Sequence, residues 1–307
     1  MLKKYTSQNI TWIDLEKPTE SEARSLAIQY KLHPLVANEL LSPTFKPKVD
    51  LHKNFIYLIL HFPTFKQTEG IVENHNREID FIIGKDFLIT ARYDSFAPLE
   101  NFLKIFEVNT ILNGGNGKIE HAGFLFFHIV QQLYKTLTNE LEYVEDSQEE
   151  IEKGIFNGNE KQMVKEISRV SHNLLDFKQA TSHHREILDS LELAGTSFFG
   201  KDFSFYLKNI NDKYRKVSHI IKTNQENLRE LRDTNNSLLS TNQNETMKVF
   251  TILAFVTFPL SLLASIFGMN TVSTPVLGMP NDFWWIIGGM LTATGLMFGF
   301  FKYKKWF

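Results

Sequence analysis

"MKVFTILAFVTFPLSLLASIFGMN", residues 247–270, is the most telling stretch of this 307-residue chain. From Val249 to Phe267 it runs 19 residues without a charge, then closes on Gly-Met-Asn. After a short loop comes a second uncharged run of 19 residues, Phe283–Phe301. The hydrocarbon core of a bilayer takes roughly 20 apolar residues of helix. Both runs read as membrane spans, with Pro259 tolerated in the first where neighbouring groups satisfy the freed carbonyl. The basic flanks set them apart from a buried helical hairpin of a soluble protein.

Those flanks also orient the spans. Lys248 precedes the first, Lys302, Lys304 and Lys305 follow the second, and the loop Gly268–Asp282 holds no Lys or Arg. The positive-inside rule then puts both termini in the cytoplasm and the short loop outside, in a plasma (inner) membrane. The N-terminal "MLKKYTSQNITWIDLEK" shows no apolar signal region. With no cysteine, disulfides and thiolate metal sites are excluded. Ahead of Lys248 stand 29 basic and 34 acidic residues, an excess of acid that disfavours nucleic acid and suits cations. No nucleophile–base motif, phosphate-binding loop or dinucleotide fingerprint is present, so no enzyme is expected.

The first hundred or so residues read as mixed α/β. "ITWIDL" is a strand, and "NFIYLILHF", "REIDFIIG" and "DFLITARY" are β-rich runs, the last two joined by a Gly-Lys-Asp turn. "PTESEARSLAIQYKL" is a helix with Thr19 as N-cap and Glu22 as its capping-box partner. "NGGNG" (113–117) is a loop. From about Glu120 the chain turns helical, with Val130, Leu133, Leu137, Leu141 and Val144 forming an apolar stripe. Glu142, Glu145, Glu149 and Glu152 form an acidic one, either a cation-attracting surface or a solvated face. His183 and His184, adjacent on a helix, point about 100° apart and read as surface histidines. His33, before Pro34, reads as structural.

From Phe203 a long helix heads for the membrane. Phe203, Leu207, Ile210, Tyr214, Val217, Ile221, Leu228, Leu231 and Leu238 fall on one 3–4 repeat, with Asn224 and Asn235 in its gaps, a seam for packing against other helices. Uninterrupted to Phe267, this helix would reach roughly 95–100 Å. A second face carries Asn209, Asp212, Lys216, His219, Thr223, Glu226, Glu230, Asp233, Ser237, Ser240 and Asn244. The same count continues as Met247, Thr251, Ala254, Phe258, Ser261 and Ser265. The polar face outside the bilayer becomes a small-and-hydroxyl face inside it. Two readings stay open: a water-filled or ion-lined path, or close helix–helix packing.

Two helices cannot enclose an ion. An ion path therefore needs several chains in a closed ring, each giving one helix to the lumen. Gly268 is placed as the C′ residue ending the first span in a left-handed turn. In a ring, Asn270 would set a circle of amide oxygens at the outer mouth, able to accept hydrogen bonds from the water shell that Mg²⁺ sheds reluctantly. No charge lies between Val249 and Asn281, which fits weak outer-sphere handling and argues against an intramembrane proton relay.

Together these residues resemble the CorA family of divalent-cation channels, along essentially the whole chain. "FGMN" (267–270) resembles its signature, more often written with Tyr before the Gly, at the end of a first span like its own. "WIDLEKPTESE" (12–22), "LHPL" (32–35) and "REIDFIIGKDFLIT" (77–90) are similar to its N-terminal domain, and "KYKKWF" to its C-terminus. The resemblance implies an α+β cytosolic funnel domain (an α/β/α sandwich), a long stalk helix and two transmembrane helices, assembled as a homopentamer in the lipid bilayer. It implies Mg²⁺ as transported ion, often with Co²⁺ and Ni²⁺, and Mg²⁺ bound between cytosolic domains as a closing signal. Pore-lining positions would be Asn244, Met247, Ala254, Phe258 and Ser261, with Asp233 nearer the cytosolic mouth and Met247 and Phe258 as apolar constrictions. Gly268, Met269 and Asn270 would form the selectivity motif.

Two departures stand out. Many family members carry an acidic "MPEL" after the signature; here the loop reads "TVSTPVLGMPND", with Asp282 its sole acid. The position of the family's regulatory stalk aspartate is Asn209, so Asp212, one turn on, is the candidate substitute. The expected organisation is an α/β domain over 1–118, a helical part over 119–200 and a stalk over 201–267 whose 249–267 is the first span. An external loop (268–282), a second span (283–301) and a basic tail (302–307) complete it. A Mg²⁺ channel is the leading reading. A transition-metal transporter of the same architecture, zinc included, and a non-conducting membrane-anchored sensor or scaffold are the alternatives.

Overall fold

A computed structural model describes residues 2–7, 9–44, 46–63, 77–112, 120–269, 278, 280–304 and 306, with backbone only at 7 and 107–112. "NGGNG" (113–117) therefore lies outside the described residues. The chain divides into two compact units, Met1–Arg232 and Asp233–Phe307.

The first unit is built on a six-stranded mixed sheet. Its strands are β1 (Leu2–Ser7), β2 (Ile10–Glu16), β3 (Lys48–Leu51), β4 (Ile56–Phe62), β5 (Arg77–Ile83) and β6 (Phe87–Arg92), in the order β1-β2-β6-β5-β4-β3. Neighbours run antiparallel except β2 and β6, which are parallel. The central strands are unbroken apolar runs because both faces of the sheet are covered. On one face Ile13, Leu15, Tyr57, Ile59, Ile82 and Ile89 meet Leu26, Leu32, Val36 and Leu40 from α1 (Glu20–Tyr30), α2 (Pro34–Glu39) and their flanks. On the other, Trp12 packs edge-on against Phe102 and Phe106 of α3 (Ala97–Leu112), and Phe81 and Phe62 against Phe126 and Tyr134 of α4 (Ala122–Phe156). This is the expected α/β/α sandwich.

Local chemistry sets the element ends. The Thr19 hydroxyl accepts from the Glu22 N–H while the Glu22 carboxylate takes the Thr19 N–H, the expected capping box. His33 caps α2 through Nδ1, which accepts from the Leu35 N–H, as its place before Pro34 suggests.

Three long helices complete the unit with α4: α5 (Glu160–Thr181), α6 (His184–Phe199) and the first part of α7 (Ser204–Phe267). The apolar stripe Val130–Val144 of α4 is buried, and Glu142, Glu145, Glu149 and Glu152 face outward. The seam of α7 is buried at Phe203, Leu207, Ile210, Tyr214, Val217, Ile221 and Leu228. Its partners are helices of the same chain. Phe203 and Tyr206 meet Phe124, Asn211 Nδ2 donates to Asp189 of α6 at 2.6 Å, and Gln148 Nε2 of α4 donates to the Asn224 carbonyl at 2.9 Å.

One histidine departs from expectation. His183 is exposed, but His184 is fully buried rather than on the surface. Its Nδ1 accepts from the Tyr134 hydroxyl at 2.7 Å and its Nε2–H donates to the His61 carbonyl at 2.8 Å, tying α6 to α4 and β4. Burial pushes its pKa down to about 4. The unfolded chain then binds a proton that the folded chain refuses. Stability attached to His184 is full above about pH 6.5 and is lost as the pH falls toward 4, by up to about 3 kcal/mol. His184→Gln should flatten the pH dependence of urea unfolding in that window by about one proton; an unchanged slope would show that His184 does not titrate on unfolding.

The second unit holds the rest of α7 and α8 (Asp282–Tyr303). Both are long and apolar enough to cross a membrane. Their apolar side chains are bare: Phe250, Leu253, Phe255 and Leu262 on α7, and Trp284, Trp285, Leu291 and Leu296 on α8, are each at least 60% exposed. Such surface needs lipid or protein to cover it. Trp284 and Trp285 stand at one end of α8, with Tyr303 and Trp306 at the other, as in the aromatic belts of membrane–water interfaces. Pro259 sits inside a helix that continues past it to Phe267.

A candidate ion path along one face of helix α7

The candidate path in the second unit is assembled from a single helix. Because α7 is continuous, steps of three and four residues keep Asp233, Asn244, Met247, Thr251, Ala254, Phe258, Ser261 and Ser265 on one side of it. In the single chain this side is open. Met247 is 63% and Phe258 72% exposed; Asp233, Asn244, Ser261 and Ser265 are exposed, and Thr251 and Ala254 half-buried. The Thr251 hydroxyl donates to the Met247 carbonyl at 2.8 Å, and Ser237 to the Asp233 carbonyl at 2.9 Å. Each hydroxyl spends its proton on its own helix and keeps lone pairs to turn outward, a useful polarity toward a cation.

At the end of the span the structure corrects one expectation. Gly268 does not take a left-handed conformation; the positive-φ glycines among the described residues are Gly158, Gly200 and Gly278. The helix instead tightens. The Gly268 N–H bonds the Ala264 carbonyl at 2.9 Å, and the Met269 N–H bonds the Ile266 carbonyl at 3.3 Å, the closer spacing of a 3₁₀ turn. The Ala264 and Ile266 carbonyls are served without a left-handed residue. Glycine still relieves a close approach, because a Cβ at 268 would lie 3.0 Å from the Ala264 oxygen. Met269 is exposed. Asn270 and the loop that follows it, 271–277, lie outside the described residues, as does Lys305.

Asp282, the loop's sole acid, is committed to the backbone. Its Oδ2 accepts from the Gly278 N–H at 3.2 Å and its Oδ1 from the Phe283 N–H at 2.7 Å, pinning the start of α8. Sequence reading assigned it no such role, though Asp in the first turn of a helix is a capping signal. In the first unit, Asp212 is exposed on α7. Among the described residues no three His, Asp or Glu side chains gather closely enough to hold a metal ion.

Comparison with known proteins bears on the family and the fold. Residues 7–304 match the family model described as CorA-like Mg2+ transporter protein. The chain is 24% identical over 304 residues to the cobalt/magnesium transport protein CorA of Thermotoga maritima, covering 98% of this chain and 84% of that one. Its fold matches the complete structure of the CorA magnesium transporter from Methanocaldococcus jannaschii with a TM-score of 0.83 at 20% identity, over 99% of this chain and 93% of the other. The ZntB cytoplasmic domain from Vibrio parahaemolyticus matches with a TM-score of 0.53 at 14% identity, over 77% and 88%.

Proposed function

The chain belongs to the CorA-like Mg2+ transporter family, and from that premise we propose that it forms a ring of identical subunits that passes hydrated Mg²⁺ through the membrane. The observation that carries the proposal is the uninterrupted face of α7 from Asp233 to Ser265, which turns from charged to hydroxyl and small without meeting a charge after Lys248. Over Phe203–Leu228 the seam is filled by helices of its own chain, and beyond it the face from Asp233 to Ser265 is largely open to meet other copies. Five copies in cyclic symmetry, with both termini in the cytoplasm of a cell bounded by an inner membrane, complete the reading.

In such a ring Asp233 gathers or releases cations at the cytosolic mouth. Asn244, Thr251, Ser261 and Ser265 offer oxygens to the water shell, and Met247 and Phe258 narrow the path. Nothing in the span can hold or move a proton, so the driving force is the inside-negative potential, about 4.6 kcal/mol per divalent ion at 100 mV. Purified protein in proteoliposomes should take up Mg²⁺ when a potential is imposed, and native mass spectrometry should find one closed oligomer, five chains being the expected count. Uptake that requires a proton gradient would overturn passive flow, and a monodisperse monomer would end the pore reading. Co²⁺, Ni²⁺ and Zn²⁺ run in parallel decide the cargo: a preference for Zn²⁺ over Mg²⁺ would favour the transition-metal alternative.

Closure by cytosolic Mg²⁺ is a second part of the reading. Among the described residues of its own chain, Asp212 has no partner acids close enough to complete a metal site. Ligands from neighbouring subunits and water would have to complete it, which links occupancy to ring closure. Millimolar Mg²⁺ should slow proteolysis of the assembled protein, and Asp212→Ala should remove much of that protection. Identical digestion with Mg²⁺ and with chelator would show that this device is missing here.

A further inference from the structure

A cavity of about 690 Å³ lies in the first unit between the α5–α6 hairpin and α7, within the size range of small-molecule sites. Lys178 of α5, Arg185 of α6, and Arg215 and Lys222 of α7 line it, over a floor that includes Tyr214 and Ile221. No Asp or Glu is among the lining residues. That is unexpected where acids outnumber bases 34 to 29 ahead of Lys248. Lys222 has an exposed contact to Glu226 at 3.7 Å, too weak to neutralise the group. The first turn of α6 opens here as well, and its N-cap His183 makes no side-chain capping bond. Four cations with only the exposed Glu226 contact at Lys222 to offset them repel one another, and their natural counterpart is a multiply charged anion.

We propose that this cavity binds the polyphosphate group of a nucleotide or of an inorganic polyphosphate. Two arginines supply the planar, forked donors that suit phosphate oxygens. Arg215 and Lys222 are seven residues apart, about 10.5 Å along the helix, farther than one phosphate bridges and suited to a chain of several. Mg²⁺ bound to such an anion cancels two of its charges, so the cavity favours the metal-free form. Use of that preference to report Mg²⁺ scarcity rests on the transport reading; the binding does not.

The test is equilibrium titration of the full-length protein in detergent with a fluorescent ATP analogue, in metal-depleted buffer and again with excess Mg²⁺. Saturable binding is expected, weakened at least tenfold by Mg²⁺ and at least tenfold by Arg185→Ala combined with Arg215→Ala. Lys213→Ala, exposed on α7 but outside the cavity, should change affinity less than twofold. Competition by tripolyphosphate as effective as by ATP assigns the site to the phosphate chain, and tenfold weaker competition assigns it to nucleotides. Absence of saturable binding, or binding indifferent to the arginine pair in a variant with unchanged circular dichroism, overturns the proposal. If binding holds while uptake fails, the site stands and only its link to transport falls.

Discussion

Phe258→Gly should raise Mg²⁺ leak under closing conditions, and Met247→Ser should do the same to a smaller degree. Both side chains are largely exposed in the single chain, on the face of α7 that carries the hydroxyls. A ring of phenyl groups around a narrow path expels water, and a hydrated divalent ion cannot cross a dry constriction cheaply. If the ring supplies about 3 kcal/mol of the closed barrier, its removal speeds leakage roughly a hundredfold. The readout is Mg²⁺ entry into proteoliposomes at millimolar internal Mg²⁺, with oligomer size checked in parallel. Wild-type leak from well-assembled variants of both residues would make them packing groups and leave the gate elsewhere.

What was legible in the sequence followed from period and charge. The strands β2, β4, β5 and β6 announce themselves as dense apolar runs, because a sheet covered on both faces leaves no polar alternation. The capping box at Thr19 and the α7 seam are local patterns; the box is present as read, and the seam is buried from Phe203 to Leu228 but only half-buried at Leu231 and Leu238. β1 was illegible because an edge strand with Lys3 and Lys4 looks like a solvated arm, a composition that protects sheet edges. β3 is four residues long, too short for a period to show, and α2, six residues long, was legible only at its start, from Pro34 after His33. The burial of His184 could not be read locally, since one of its partners is the His61 carbonyl 123 residues earlier. The left-handed turn assigned to Gly268 applied a common helix ending where a 3₁₀ turn serves the same carbonyls. The α7 face was legible because a continuous helix preserves phase, whereas what it faces in an assembly depends on chains that a single sequence does not arrange.

Asn270→Ala should abolish Mg²⁺ uptake while leaving expression and assembly intact. The chain from Val249 to Asn281 has no charge, so selection at the outer mouth must come from neutral oxygens. Asn270 follows directly on Gly268 and Met269, where the helix has tightened and the Ala264 and Ile266 carbonyls are already bonded. An amide there can accept hydrogen bonds from the ion's water shell, and Mg²⁺ keeps that shell reluctantly exchanged. If Asn270 meets the hydrated ion, alanine removes the acceptor from water rather than from a packed interior, so the loss should fall on transport rather than stability. Asn270→Asp separates oxygen from charge: it keeps an acceptor but adds a ring of carboxylates, which should tighten capture and slow release. Gly268→Ala should have a milder effect, since its Cβ presses on the Ala264 oxygen without needing a forbidden φ. The measurement is Mg²⁺ uptake in cells lacking their own importers, with ring size checked by native mass spectrometry. Wild-type uptake by an intact Asn270→Ala ring would reduce the Gly-Met-Asn step to a helix terminus and move selectivity inward, to the hydroxyl face at Ser261 and Ser265.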